Sequence, residues 1–289
     1  MVLYLEDCDI KKKYSKVRNP YSTKNFRRQF GVTKKNKHRN MKSKTLLLIL
    51  ILSISNTLFS QEKEKNKTGW ELNSQRVKDS MIVKIDTTFF LLGTLNDYMG
   101  RKWIAKGEVF DRYYPFEKPL MKFVDRIVKK EYKIVLIEKD NCLNSKEIAD
   151  KMNSFYVENN LNDSLFTTKE KNLSFLLGAY YRYGEKVTDN IYKIQIANSF
   201  KHIEIQKILI SLGCKNIFYK RLQNIPVQNI IYFESNDLIK AYFETIEFEK
   251  QKLFDSFFKL FLSDKLSKEE YLNEINKKNL IIIEMFNQR

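Results

Sequence analysis

Asn190-Ile191-Tyr192-Lys193-Ile194-Gln195-Ile196-Ala197 opens the stretch that decides the fold. Tyr192, Ile194 and Ile196 alternate with Lys193, Gln195 and Ala197, the two-residue period of a strand with one buried face. Ser199 then caps a helix carrying Ile205, Ile208, Leu209 and Leu212, which Gly213 closes. A second strand is expected over 214–220, a third over 228–234 after the turn around Pro226, and Ser235 caps a long helix with Leu238, Ile239, Tyr242, Phe243 and Ile246. The order is strand, helix, strand, strand, helix.

This order is similar to the start of a ferredoxin-like unit and, more loosely, to the SPOR domains, a resemblance that implies peptidoglycan binding at a cell envelope. It covers about 60 residues, from Asn190 to Lys250, and Ala197-Asn198-Ser199 stands where SPOR domains commonly have a Gly-Ser-Phe turn. No site residue carries across.

Upstream, Leu120, Phe123, Val124, Ile127 and Val128 recur at helical intervals, and the apolar run Ile134 to Ile137 reads as a buried strand over 133–138. Ile148, Met152 and Phe155 stripe another helix. Thr167 with Glu170 forms a capping-box pattern ahead of Leu173, Leu176, Leu177 and Tyr180, with Gly184 as the stop. Downstream, the Phe-rich helix runs from Asn236 to Phe261, Ser267 with Glu270 marks a further helix start, and Leu280 to Ile283 fits either a helix or a late strand. The expected class is α+β: a small mixed or antiparallel sheet (strands near 133–138, 190–197, 214–220 and 228–234) covered by several helices, with a helical C-terminal extension. No internal repeat is read.

The amino-terminal 60 residues differ in kind. Met41-Lys42-Ser43-Lys44 followed by an apolar run to Leu52 and small residues up to Ser60 has the layout of a secretory signal, with cleavage after Ser60. Leu58 is larger than the usual residue three positions before such a site. The apolar run falls short of the about 20 residues a spanning helix needs. The expected organisation is a disordered basic leader over 1–40, outside the natural start of translation, a signal peptide over 41–60, a polar spacer over 61–69, one α+β domain over 70–262 and a helical extension over 263–289.

The net charge of +17 comes from 52 Lys and Arg against 35 Asp and Glu. Fourteen of those bases and three of the acids lie in residues 1–60, leaving a net +6 downstream. Removing the leader therefore removes most of the signal for a nucleic-acid partner. The expected location is periplasmic or secreted.

Chemistry-bearing residues are sparse. His202 has no second His, Cys pair or acidic cluster around it, so neither a metal nor a cofactor is expected. Cys142 and Cys214 can form a bridge in an oxidising compartment or serve as small core residues. Two clusters mix aromatic and charged groups: Asp97, Tyr98 and Arg101, and Tyr181, Arg182, Tyr183 and Glu185. Tyr beside Arg can stack on and hydrogen-bond a sugar or peptide. The same residues also suit the rim of a core, and Asp97 can simply pair with Arg101 one helical turn on.

Three functions follow as expectations. The first is an exported, noncatalytic envelope or secreted protein that binds a peptide, glycan or protein partner through those seven residues. The second is an exported hydrolase using Asp97 and Glu185 as paired carboxylates. The third is a nucleic-acid binder using the basic leader.

Overall fold

The structure, a computed structural model, describes residues 83–101 and 107–288. The leader, the signal segment, the cleavage site and the polar spacer lie outside the described residues. No helix among the described residues is long and apolar enough to cross a membrane.

Helix α1 (Thr87–Thr94) begins where Asp86 Oδ1 accepts the Phe89 N–H at 3.1 Å, satisfying one of the free amides of the first turn. Six of its residues, Phe89 to Thr94, are buried, so it has no solvent face. Strand β1 (Val109–Arg112) leads through a 3₁₀ turn (Pro115–Glu117) into α2 (Lys118–Tyr132). Lys133 closes α2 in the left-handed conformation (φ 60°). Strands β2 (Ile137–Lys139) and β3 (Cys142–Asn144) precede α3 (Lys146–Asn153) and the short pair β4 (Tyr156–Val157) and β5 (Asn160–Leu161).

Helix α4 (Lys169–Tyr183) follows, capped by the Thr168 hydroxyl on the Lys171 N–H, and is buried continuously from Leu173 to Arg182. Strands β6 (Gly184–Lys186) and β7 (Ile191–Ala197), helix α5 (Lys201–Ser211), strands β8 (Ile217–Leu222) and β9 (Gln228–Glu234), and helices α6 (Asp237–Glu244), α7 (Glu247–Phe261) and α8 (Lys268–Asn287) complete the order.

The chain is α+β, as expected, with its strands in small antiparallel sheets. The four-stranded sheet has the order β6-β7-β9-β8, and the three-stranded one the order β1-β3-β2. On the inner face of the larger sheet Tyr192 pairs with Phe233 and Ile194 with Ile231, all four buried. Tyr180 of α4 meets the Tyr192 ring edge-on at 5.5 Å and stacks on Phe243 of α6 at 3.9 Å. Burying such rings is the largest single contribution to a core of this kind, about 1.5–3 kcal/mol for each fully buried large side chain.

The two sheets are built alike. In each, a strand runs into a helix, a hairpin follows, and its second strand returns to the middle, as β1-β3-β2 and as β7-β9-β8. A buried helix precedes each set, and both helices carry the tetrapeptide Phe-Leu-Leu-Gly, at Phe90–Gly93 in α1 and Phe175–Gly178 in α4. The chain thus holds an internal repeat of about one α-β-α-β-β unit, contrary to the reading of the sequence. Four identical residues among otherwise unlike neighbours are too few for periodicity to expose.

Other boundaries shift for local reasons. Lys133 to Leu136 form no strand, because the left-handed turn at Lys133 breaks the chain direction there and β2 starts at Ile137. The long helix is two helices: Thr245 Oγ1 donates to Tyr242 O, and the Thr245 and Ile246 N–H groups also reach back only three residues. Asn236, not Ser235, caps α6, its side chain accepting the Ile239 N–H at 3.0 Å. Leu280 to Ile283 are helical, within α8.

Candidate functional site

Two places bring functional side chains together. The first is a buried polar layer at the C-terminal ends of α1 and α4. Arg182, the penultimate residue of α4, donates from Nε and Nη2 to Glu117 Oε1 (2.9 Å) and Oε2 (2.6 Å), a bidentate pair. Its Nη1 reaches Asp111 Oδ2 and Thr94 O, both at 2.8 Å. Beside it Lys201 Nζ, also buried, donates to Gly93 O (3.2 Å) and Leu95 O (2.6 Å) and stands 3.8 Å from Asp97 Oδ1. Two cations therefore meet the unpaired carbonyls that end α1, where the helix dipole favours positive charge.

Burial pushes the Lys201 ammonium down to about 8, with Asp97 and Asp111 opposing the shift. Burial also raises the Asp111 carboxyl, against the pull of Arg182 and Arg101. The Asp97 carboxylate accepts the Ser199 hydroxyl at 2.7 Å, and Asn96 N–H donates to Asp111 at 2.9 Å. Arg182 is fully paired within the layer, whereas Arg101 Nη1 is buried there without a hydrogen-bond partner.

Five of the seven residues singled out in the sequence lie at this layer. Asp97, Arg101 and Arg182 are buried in it, Tyr183 is half-buried with its hydroxyl on Leu95 O (2.9 Å), and Tyr98 sits at its margin, its N–H on Asn96 Oδ1. Arg101 turns to Asn153 Oδ1 (2.8 Å) and Phe110 O (2.5 Å) instead of pairing with Asp97. Tyr181 lies elsewhere, fully buried, its ring edge-on to Phe123 at 5.3 Å. Glu185 is on β6, ion-paired with Lys193. Asp97 and Glu185 line different cavities, so the structure does not bring the two carboxylates together. Glu117, Asp111 and Lys201, which complete the layer, carried no sequence signal beyond their charge.

His202 donates from Nδ1 to Ser199 O and lies over the Tyr219 ring, and burial lowers its pKa. Cys142 and Cys214 are both unbridged. Among the described residues no group of three or more His, Cys, Asp or Glu is placed to hold a metal ion.

The second place is the outer face of the four-stranded sheet. Register aligns Glu185, Lys193, Tyr232 and Phe218 in one row across β6, β7, β9 and β8, and Gln195, Ile230 and Lys220 in the next. Side chains on this face point away from the α4 and α6 layer. Lys220 and the neighbouring Arg221 are exposed. Phe286, near the end of α8, meets the Phe218 ring at 4.7 Å, so α8 shares this face.

No protein-family model matches the chain, and the search of curated proteins returns no match. Solved structures do resemble it. A structure of mesophilic variants of the homing endonuclease I-DmoI matches at 16% identity and a TM-score of 0.36 over 56% of this chain and 95% of that one. I-DmoI in complex with DNA and Ca matches at 17% identity and a TM-score of 0.34 over 53% and 85%. Full-length DUF199/WhiA from Thermatoga maritima matches at 14% identity and a TM-score of 0.37 over 73% and 72%.

On that finding the expectation of an exported, noncatalytic envelope or secreted protein that takes a peptide, glycan or protein partner and no nucleic acid is corrected. The structures matched are a homing endonuclease, seen with DNA, and DUF199/WhiA, and the periplasmic or secreted location falls with the expectation. At these scores the likeness carries no residue role, reaction or ligand to this chain.

Proposed function

We propose that the protein binds nucleic acid through the outer face and β8 edge of its four-stranded sheet. The observation that supports this best is the composition of that face: exposed Lys220, and Lys193 in its pair with Glu185, are interleaved with Gln195, Tyr232 and Phe218 on adjacent strands, and Arg221 is exposed on the other side of the β8 edge. Lysine and arginine contact phosphates, aromatic rings stack on bases, and an amide can read a base edge. A four-stranded antiparallel sheet is wide enough to seat several nucleotides in this way. The chain's charge of +17 supplies the long-range attraction that such a partner needs. With export set aside, the twelve Lys and Arg of residues 1–40 add to that attraction.

Fluorescence anisotropy with labelled single-stranded and duplex oligonucleotides over a salt series tests the reading. Affinity should fall steeply with salt, and Lys220→Gln with Arg221→Gln should reduce the logarithmic salt slope by about one to two phosphate contacts. A salt slope that the pair leaves unchanged, or no binding at low salt, removes this face as the seat.

A further inference from the structure

A cavity of about 540 Å³ lies between the β6 edge, α7 and α8. Phe116, Phe254, Phe257, Leu272 and Ile275 give it a largely apolar wall, and Lys250 is among the acidic, basic and amide side chains that complete the lining. That volume falls in the range of about 300–1,000 Å³ typical of small-molecule sites, which likewise pair apolar walls with a few convergent polar groups.

Lys250 differs from the other cations of the lining. Arg182 is held by Glu117 and Asp111, Lys186 by Asp189 and Lys268 by Asp255. Lys250 has no carboxylate ion pair among the described residues. Its Nζ donates to Tyr180 O (3.0 Å) and Tyr181 O (3.3 Å) and lies 4.7 Å from the centre of the Tyr180 ring. An ammonium carries three N–H groups, so one remains for a ligand. The nearby acids are already engaged, Glu185 by Lys193 and Glu247 by the Tyr180 hydroxyl at 2.5 Å.

We propose that this cavity is a binding site for an amphipathic carboxylate, the carboxylate on Lys250 and the apolar body against Phe254, Phe257, Leu272 and Ile275. Burial lowers the Lys250 ammonium to about 8, with Glu247 and Glu185 opposing, and a bound carboxylate would offset that cost. The site does not depend on the nucleic-acid reading.

The probe is 8-anilinonaphthalene-1-sulfonate, an anion with an aromatic body, followed by fluorescence on the full chain at pH 7. Dodecanoate should displace it about tenfold more effectively than dodecyltrimethylammonium, the discrimination one charge-assisted hydrogen bond provides. In Lys250→Met the preference for the carboxylate should disappear. If that variant fails to fold, Leu272→Trp fills the cavity from a side chain that is 42% exposed, and should abolish probe binding while the melting temperature holds. No probe binding, equal displacement by the two surfactants, or an unchanged preference in Lys250→Met overturns the proposal.

Discussion

Gly93 of α1 and Gly178 of α4 cross in backbone contact. A β-carbon on Gly93 would stand 3.0 Å from the Gly178 Cα and 2.1 Å from Phe175 O, and one on Gly178 would stand 2.1 Å from Phe90 O. Each glycine thus meets the helix that carries the other, at the same place in the repeated Phe-Leu-Leu-Gly. The obstructing atoms are backbone, which cannot rotate away. The pairing brings the ends of α1 and α4 close enough for Arg182 to reach Thr94 O.

Gly93→Ala and Gly178→Ala should therefore each destabilise the protein by about 3 kcal/mol or more, beyond ordinary overpacking. This should hold although alanine is the better helix former. Urea denaturation monitored by circular dichroism measures it. Gly213→Ala offers a contrast: space is open around it, and only its positive φ of 82° opposes the methyl. A melting temperature unchanged in both helix variants would mean that the two helices do not cross here.

The region from Asn190 to Glu234 was legible because β7 has one buried and one wetter face over most of its length, so alternation fixes its type. β9 falls where the sequence places it although Gln228 to Ile231 are buried on both faces. Helices α1 and α4 were not legible as a pair. Both are buried all round, so neither has the polar stripe that helical periodicity detects. The same burial explains why Tyr181 and Arg182, which suit a ligand surface by residue type, are inside. No spacing rule links Arg182 to Glu117 or Asp111, 65 and 71 residues away. The outer sheet row was half visible: the alternation marked Lys193 and Gln195, whereas Tyr232 and Phe218 join them only through the register.

Arg182→Met should cost about 3–5 kcal/mol, because it strands Asp111 and Glu117 without their cation in the interior. The loss should shrink as pH falls, because the Asp111 carboxyl, already raised by burial, takes up a proton more readily once its cation is gone. Adding Asp111→Asn and Glu117→Gln should restore much of the melting temperature at neutral pH. A triple variant no more stable than Arg182→Met would show that the cost lies in lost packing and in the contacts to Thr94 O and Arg112 O instead.

Stability should rise between pH 8 and about 10. Lys201 and Lys250 are both lowered to about 8 by burial, against 10.5 for a free lysine, so over this interval the unfolded chain binds more protons. Lys201 faces Asp97, Asp111, Arg182 and Arg101, and Lys250 faces Glu247, Glu185 and Lys193. Cys214, pushed up to about 11, opposes the trend from pH 9. Above pH 10 the buried phenols of Tyr113, Tyr156, Tyr180, Tyr181 and Tyr183, all raised, reverse it, since the unfolded chain ionises first. Denaturant midpoints at pH 7, 9.5 and 11 test the curve, and Lys201→Met should flatten its rise. A midpoint that falls steadily from pH 7 to 9.5 contradicts the burial of both ammonium groups.

Deleting α8, residues 267–289, should strengthen nucleic-acid binding several-fold. The helix is held lightly: Tyr271 is its one buried residue, packed with Phe257 and Leu262, and Phe286 lies against Phe218 on the proposed binding face. Few contacts oppose its removal, while the row of Lys193, Tyr232 and Phe218 becomes more accessible to a ligand. Phe286→Glu should act in two opposed ways, freeing Phe218 but placing a negative charge beside Lys220. It should therefore gain less than the deletion, and lose most of that gain at low salt, where repulsion is least screened. Anisotropy on the full chain, the deletion and the point variant separates these outcomes. Affinity lowered by the deletion would place α8 among the binding elements and move the seat away from the sheet.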